Sequence, residues 1–281
     1  YPKSGDNELL GEALESDYSA KEETERARVW IEGLDRIHKI RGIRRCIDLS
    51  ATPYFMKSSG RIEGEPFDWV VSDFGLLDAI ESGIVKVPQV PNWDNRERAE
   101  PKYLRLYHEV KDKLPKSEGE VSKSERGGAL PAEVQGALAT LATQWEKDFE
   151  AWQDAGREVP PAMIVVCNNT ATSSLLARFI SEGKVILELK NQDDEMRTLR
   201  IDSKLLRDAE IRELNQTQQE AAKELREIVQ AVGEPGKKGG NIRCVVSVGM
   251  LSEGWDAHNV TQILGLRAFS SPLLCEQVIG R

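Results

Sequence analysis

The sequence is poor in the features that mark membrane proteins, secreted disulfide-rich proteins and zinc proteins. No apolar run approaches the ~20 residues of a transmembrane helix, and the first residues lack the apolar core of a signal peptide. Cysteines and histidines are few and show no zinc-ligand spacing; the cysteines are Cys46, Cys167, Cys244 and Cys275. We expect buried, reduced thiols, a cytoplasmic protein and no metal site formed by these residues.

The chain also lacks an excess of positive charge. Its 281 residues carry 38 Lys and Arg against 47 Asp and Glu, for a net charge of −9. This balance argues against a protein that binds nucleic acid through a generally basic surface. It is compatible with a cleft that holds one strand through backbone amides and a few local cations.

What the chain does contain is typical of a folded protein of the α/β class. Hydrophobic residues make up 40% and charged residues 30%. Short apolar runs alternate with stretches of helical periodicity, which predicts a parallel sheet covered by helices on both faces. Strands are predicted at 46–49, 69–71, 163–167, 186–187, 199–201, 242–248 and 260–264. Helices are predicted within 27–43, 76–82, 102–113, 171–182 and 205–232, with Gly83 ending the second of them.

Residues 92–160 differ from the rest, because helical patterns follow one another there without strands. After Pro131, apolar residues recur every three to four positions and form one helix face; they are Val134, Leu138, Leu141, Trp145, Phe149 and Trp152. Such a stripe either packs on its own domain or serves as a partner site. The first interpretation is favoured.

Three loops each follow a predicted strand, which is where an open α/β sheet places its ligand contacts. They are Ser50-Ala51-Thr52, Asn168-Asn169-Thr170 and residues 249–256. Hydroxyls and amides beside free backbone N–H groups suit phosphate oxygens. In the third loop, Gly249 and Gly254 permit close approach of the backbone to a ligand. Asp256 there can accept a hydrogen bond from a ribose hydroxyl or order a cation.

Taken together and in this order, these stretches resemble the motifs of superfamily 2 helicases. Residues 50–52 resemble motif III, 164–170 motif IV, 247–256 motif V and 277–281 the start of motif VI, Q-x-x-G-R-x-x-R. The stretches D-L-S-A-T-P-Y-F, V-S-V-G-M-L-S-E-G-W-D and L-L-C-E-Q-V-I-G-R resemble the helicase subunit of type III restriction-modification systems. The resemblance covers residues 44–90 and 160–281.

This resemblance implies a motor of two RecA-like lobes that binds ATP between them and a nucleic-acid strand across both. Residues 1–90 would be the last part of the first lobe, 91–160 a helical insertion and 161–281 the second lobe. The sequence contains neither a G-x-x-x-x-G-K-[ST] P-loop nor a D-E-x-H box. The resemblance therefore implies part of an ATP-dependent DNA helicase or translocase, and we expect residues 1–281 alone to be inactive.

Roles follow from the matching positions. The motif III residues Ser50, Ala51 and Thr52 would couple nucleotide state to lobe closure. The nucleic-acid contacts would be Asn168, Asn169, Thr170, Ser252 and Glu253. Gly254, Asp256 and Arg281 would bind ATP, and Gln277 and Arg281 would be the catalytic residues of the cleft. The implied cofactors are ATP and Mg²⁺, held mostly by first-lobe motifs that this sequence lacks. The implied partners are DNA, without sequence specificity, and a methyltransferase subunit.

Two alternatives remain open at this point. Glu188-Leu189-Lys190 has the E-x-K spacing that, on a strand, serves metal-dependent nucleases, although no Pro-Asp partner lies in range. The chain is alternatively a non-catalytic module that binds nucleic acid or protein, with residues 92–160 as a docking arm.

Overall fold

The computed structural model of the chain describes residues 32–50, 65–90, 105–117, 130–193, 195–201, 216–248, 257–269 and 278–280. The chain divides into two compact units, residues 1–73 and 74–281. Within the described ranges, no helix combines the length and the apolar character needed to cross a bilayer.

In the first unit, residues 32–41 form helix α1, as the described part of the predicted helix at 27–43. The strands predicted at 46–49 and 69–71 do not form, and this part of the prediction was wrong. Leu49 and Trp69 are 97% and 91% exposed. An apolar run becomes a strand only where neighbouring strands satisfy its backbone and a second layer covers it. No described residue pairs with either segment.

The second unit carries the regular structure. Its helices are α2 (Leu76–Glu81), α3 (Leu106–Val110), α4 (Ala132–Asp154), α5 (Thr170–Ser181) and α6 (Gln216–Gln230). Its strands are β1 (Ala162–Cys167), β2 (Thr198–Ile201), β3 (Cys244–Val248) and β4 (Val260–Leu266). Gly83 follows α2 with φ +70° and donates to the carbonyl of Ile80, so the predicted C-terminal glycine is confirmed.

The four strands form one parallel sheet in the order β2-β3-β1-β4. The predicted parallel sheet and its strands at 163–167, 242–248 and 260–264 are confirmed, and these three strands are neighbours. The strand predicted at 186–187 was wrong, because the chain forms a 3₁₀ turn over Leu187–Leu189 there. Only Leu189 of that turn is buried, and a short apolar run does not by itself distinguish a strand from a turn.

The helices cover the two faces of the sheet in the way that right-handed crossovers require. From β1 the chain passes through α5 outward to β2, and from β2 it returns through α6 to β3. Because the two crossovers run in opposite directions, α5 and α6 lie on opposite faces. Helices α3 and α4 share the core on the α5 face, with Met163 and Val165 of β1. Ile164 and Val166 face the α6 side.

The apolar stripe of α4 packs onto this sheet. Trp145 is fully buried, and its indole N–H donates to the carbonyl of Pro161 at 2.9 Å. Its ring stacks on the ring of Phe149 with 4.9 Å between the ring centroids. The guanidinium of Arg157 lies over the ring of Trp152, which is half-buried. The favoured interpretation of the stripe is therefore confirmed for Trp145 and Phe149. The assignment of 91–160 to an insertion and the other domain boundaries stay predictions.

A close backbone approach at Gly233 gives a test of the packing on the α6 side. Gly233 has φ +79°, and a Cβ there would clash with the buried amide of Asn259. Gly236 has φ +71°, and nothing lies within 4 Å of its Cβ position. Gly236→Ala should lower the free energy of unfolding by about 1–2 kcal/mol through backbone strain alone. Gly233→Ala should lower the free energy of unfolding by about 1–3 kcal/mol more than Gly236→Ala does, because the added methyl group overpacks the contact with Asn259.

Urea denaturation of the two glycine variants measures this difference. Equal losses of unfolding free energy would mean that the contact with Asn259 is not as tight as the fold implies.

Candidate functional site

The parallel strands bring several polar groups to one edge of the sheet. All four strands end at this edge, and the residues that follow β1 are Asn168, Asn169 and Thr170. The loop 249–256 follows β3 but lies outside the described residues. Ligands of open α/β sheets bind at the carboxyl ends of the strands, so this edge is the candidate site.

Asn169 starts helix α5 as its N-cap residue. Its side-chain oxygen accepts a hydrogen bond from the backbone N–H of Thr172 at 2.8 Å, and its carbonyl accepts from Ser173 at 3.1 Å. The backbone N–H groups of Thr170 and Ala171 lie in the first turn of the helix. They therefore have no carbonyl acceptor within the helix. Together with the helix dipole, they favour an anion at this end of α5.

The side chain of Asn169 is already engaged on its other side. Its amide donates to the carbonyl of Pro115 at 3.2 Å, and the hydroxyl of Thr172 donates to the same carbonyl at 3.3 Å. The segment after α3 is thereby tied to the first turn of α5. The predicted contact of Asn169 with nucleic acid stays a prediction. Independently of it, this side chain caps α5 and holds the segment after α3.

Among the described residues at this edge, two buried polar atoms have no hydrogen-bond partner. They are Oδ1 of Asn168, which follows β1, and Oγ of Ser247, which is 1% exposed and pairs in register with Val166. Buried polar groups are nearly always hydrogen-bonded, so each such atom calls for an explanation. Ser247 lies on the α6 face of the sheet with its register partner Val166, opposite to α5, so the two atoms do not belong to one ligand site.

Arg200 of β2 is a residue that the sequence reasoning missed. Its Nε donates to the hydroxyl of Ser173 and its Nη2 to the carbonyl of Thr170, both at 3.2 Å. The guanidinium therefore lies against the first turn of α5. A signal was available, since the alternation of Leu199, Arg200 and Ile201 puts the arginine on the opposite face from the two apolar residues.

Most other predicted site residues lie outside the described part of the chain. Ser50 lies in irregular, exposed backbone of the first unit. The residues outside the described ranges are Ala51, Thr52, Ser252, Glu253, Gly254, Asp256, Gln277 and Arg281. Their roles stay predictions. The structure thus brings together Thr170, Ser173 and Arg200 at the candidate site.

The described residues do not form the nuclease site or a metal site that would support other chemistries. Glu188 belongs to a 3₁₀ turn, not a strand, and its carbonyl accepts from Arg243 Nη1 at 2.9 Å. The strand geometry of an E-x-K nuclease site is therefore missing. In the ranges that the structure describes, no group of three or more His, Cys, Asp or Glu side chains is arranged to hold a metal ion.

Two thiols in the described part of the second unit are structural, and Cys275 lies outside the described residues. Cys167 and Cys244 are buried, and burial raises the pKa of the Cys244 thiol, which therefore stays protonated at neutral pH. Cys46 is exposed, so the expectation of a buried thiol was wrong there. It falls in the segment that does not form its predicted strand.

Comparisons with known proteins identify no relative. No family model, no curated protein and no solved structure matches the chain.

Proposed function

We propose that residues 161–281 form the second RecA-like lobe of a superfamily 2 DNA translocase, and that the carboxyl edge of the sheet holds the backbone of a DNA strand. The observation that carries the proposal is the clustering, at the stretch that resembles motif IV, of the first-turn amides of α5 and the cation of Arg200. The parallel sheet with helices on both faces is compatible with a RecA-like lobe.

The site favours contact with the backbone over readout of bases. Phosphate oxygens accept from the amides of Thr170 and Ala171, while the Arg200 guanidinium adds positive charge beside them. Contacts of this kind position a strand without reading its sequence, which suits a motor that moves along any DNA. The local cation of Arg200 beside these amides also explains how a chain with net charge −9 would bind a polyanion.

ATP and Mg²⁺ belong to the same proposal, at the nucleotide site that the resemblance implies. Bound there, ATP supplies the free energy of movement. From this chain, Gly254, Asp256 and Arg281 would face the nucleotide and Gln277 the cleft, on the strength of the resemblance. The protein-interaction alternative depended on the stripe of 92–160 as a docking arm, and Trp145 of that stripe is buried against its own sheet.

The proposed function is tested by binding of single-stranded oligonucleotides at low ionic strength. We expect strands of unrelated sequence to bind with similar affinity, and the affinity to fall steeply with salt. Asn168→Asp keeps the side-chain shape and adds a negative charge beside the start of α5. It should weaken binding about tenfold, which corresponds to roughly 1.4 kcal/mol of repulsion.

A matched control adds the same charge elsewhere. Gln153→Glu changes an exposed residue near the end of α4, on the approach to the amino edge of the sheet. It should leave affinity nearly unchanged. An equal loss in both variants would show that only net charge matters, and failure of the unaltered chain to bind any strand would exclude the proposed function.

A further inference from the structure

The first unit contains a short segment of concentrated positive charge. Five of the ten residues from 36 to 45 are Lys or Arg and none is Asp or Glu, whereas the whole chain has 38 Lys and Arg in 281 residues and a net charge of −9. We call residues 36–45 the basic segment. All five of its cations are exposed, and they are Arg36, Lys39, Arg41, Arg44 and Arg45.

Most of this charge is not neutralised by carboxylates of the described residues. Lys39 pairs with Asp35 of α1, with 2.5 Å between Nζ and Oδ2. In the ranges that the structure describes, no carboxylate forms an ion pair with any of the four arginines. The next acidic residue along the sequence is Asp48. Four unpaired cations therefore lie between Asp35 and Asp48.

The end of helix α1 fixes the backbone around which these cations lie. Gly42 has φ +72°, and its N–H donates to the carbonyl of His38 at 2.9 Å. The N–H of Ile43 donates to Nδ1 of the same histidine at 3.0 Å. A helix carries about half a negative unit charge at its C-terminal end. This partial charge stabilises nearby cations but is too small to neutralise four of them, so the surface stays positive.

A phosphate backbone fits this surface better than an anionic lipid membrane does. Exposed cations that neutralise phosphates release the counterions of the strand, and an arginine can bind a phosphate through two donors. A helix that lies in a membrane surface instead buries a broad apolar face. The exposed apolar residues of the basic segment are Ile37 and Ile40, while Arg44 and Arg45 follow the helix in irregular backbone.

We infer that the basic segment binds the phosphate backbone of a nucleic-acid strand. This contact lies in the first unit and uses no residue of the sheet edge, so it is a second site and goes beyond the proposed function. Cations of this kind hold a strand without reading its sequence. They add affinity and salt dependence to whatever the sheet edge contributes.

The test uses residues 1–281 and an oligothymidylate strand, with affinity measured by fluorescence anisotropy over a series of salt concentrations. Arg44→Gln combined with Arg45→Gln should reduce the slope of log K against log salt by about 1.4, because each phosphate of a single strand contributes about 0.7. This change corresponds to a loss of about tenfold in affinity at about 0.2 M salt. Arg44→Lys combined with Arg45→Lys keeps both charges and should retain the slope.

A matched control removes two adjacent cations that carboxylates already neutralise. Lys237 pairs with Glu234, and Lys238 pairs with Glu224. Lys237→Gln combined with Lys238→Gln should leave the slope and the affinity nearly unchanged. Equal losses in the lysine pair and the arginine pair would show an effect of net charge alone and would overturn the inference.

The remaining outcomes separate the two proposed sites. Wild-type affinity and slope in the Arg44→Gln and Arg45→Gln variant would overturn the inference and leave the proposed function standing. A loss in that variant with no effect of Asn168→Asp would support the inference and contradict the site at the sheet edge. If the variant does not fold, Arg36→Gln combined with Arg41→Gln carries the same expected change and decides. No binding by the unaltered chain would overturn both proposals.

Vesicles of phosphatidylcholine and phosphatidylserine test the lipid alternative. We expect the basic segment to contribute no binding to them at the salt concentrations at which the strand binds. Vesicle binding that is lost in the Arg44→Gln and Arg45→Gln variant, while its affinity for the strand stays at the wild-type value, would overturn the inference in favour of a membrane surface.

Discussion

Residues 1–281 alone are expected to hydrolyse no ATP above background. Phosphoryl transfer needs a phosphate cradle, a magnesium site and an arginine that stabilises the transferring group. The sequence has no P-loop and no acidic box, and under the proposed function the second arginine of motif VI has no counterpart in residues 1–281. Such an arginine alone is worth about 10³–10⁵ in rate, so the combined deficit leaves no measurable turnover. A phosphate-release assay with and without DNA measures this.

A longer protein that supplies these three elements is the positive control. It should hydrolyse ATP and be stimulated by DNA. In it, Asp256→Ala and Arg281→Ala should each lower kcat while the thermal melting curve stays the same. Hydrolysis by residues 1–281 alone, or full activity of Arg281→Ala in the longer protein, would show that the ATP site is assigned incorrectly.

Trp145→Ala should cost about 3–5 kcal/mol of unfolding free energy, the usual range for a large aromatic residue removed from a core. The side chain is fully buried, stacks on Phe149 and donates a hydrogen bond to the carbonyl of Pro161. The substitution would leave a cavity between α4 and the sheet and an unpaired carbonyl at the start of β1. Urea denaturation monitored by circular dichroism provides the measurement.

Trp69→Ala is the matched control, because Trp69 is 91% exposed. It should change the free energy by less than about 0.5 kcal/mol. A small loss in Trp145→Ala would mean that α4 is not part of the core that supports β1. The stripe on α4 would then again be a candidate partner surface.

The strands of the second unit could be predicted because their apolar sequence pattern agrees with their buried position in the sheet. Residues 163–167 form an unbroken apolar run between Pro161 and Asn168, as expected of a central parallel strand, and the structure buries the whole of β1. The run at 46–49 has a similar local pattern but no described neighbour to pair with, and Leu49 is exposed. The difference lies in pairing with distant residues, which no local pattern contains.

The part of the candidate site that directly follows a strand could be predicted, and the part that depends on distant residues could not. Asn168, Asn169 and Thr170 could be found because they follow a predicted strand, and an Asn before a helix is a familiar N-cap residue. The alternation around Arg200 indicates the face on which its side chain lies, but its contact with α5 depends on the crossover that places β2 two positions from β1. The unpartnered hydroxyl of Ser247 likewise follows from three-dimensional packing and not from its neighbours in sequence.

The most direct test of the central claim is amide chemical-shift mapping of the chain during titration with an oligothymidylate strand. The account predicts that the largest shifts occur at Asn168, Thr170 and Ala171, with a smaller shift at Arg200. Gly233, which contacts Asn259 next to the start of β4, should not shift. Shifts confined to Gly233 and its neighbours, or absent when the strand is in large excess, would contradict a nucleic-acid site at the carboxyl edge of the sheet.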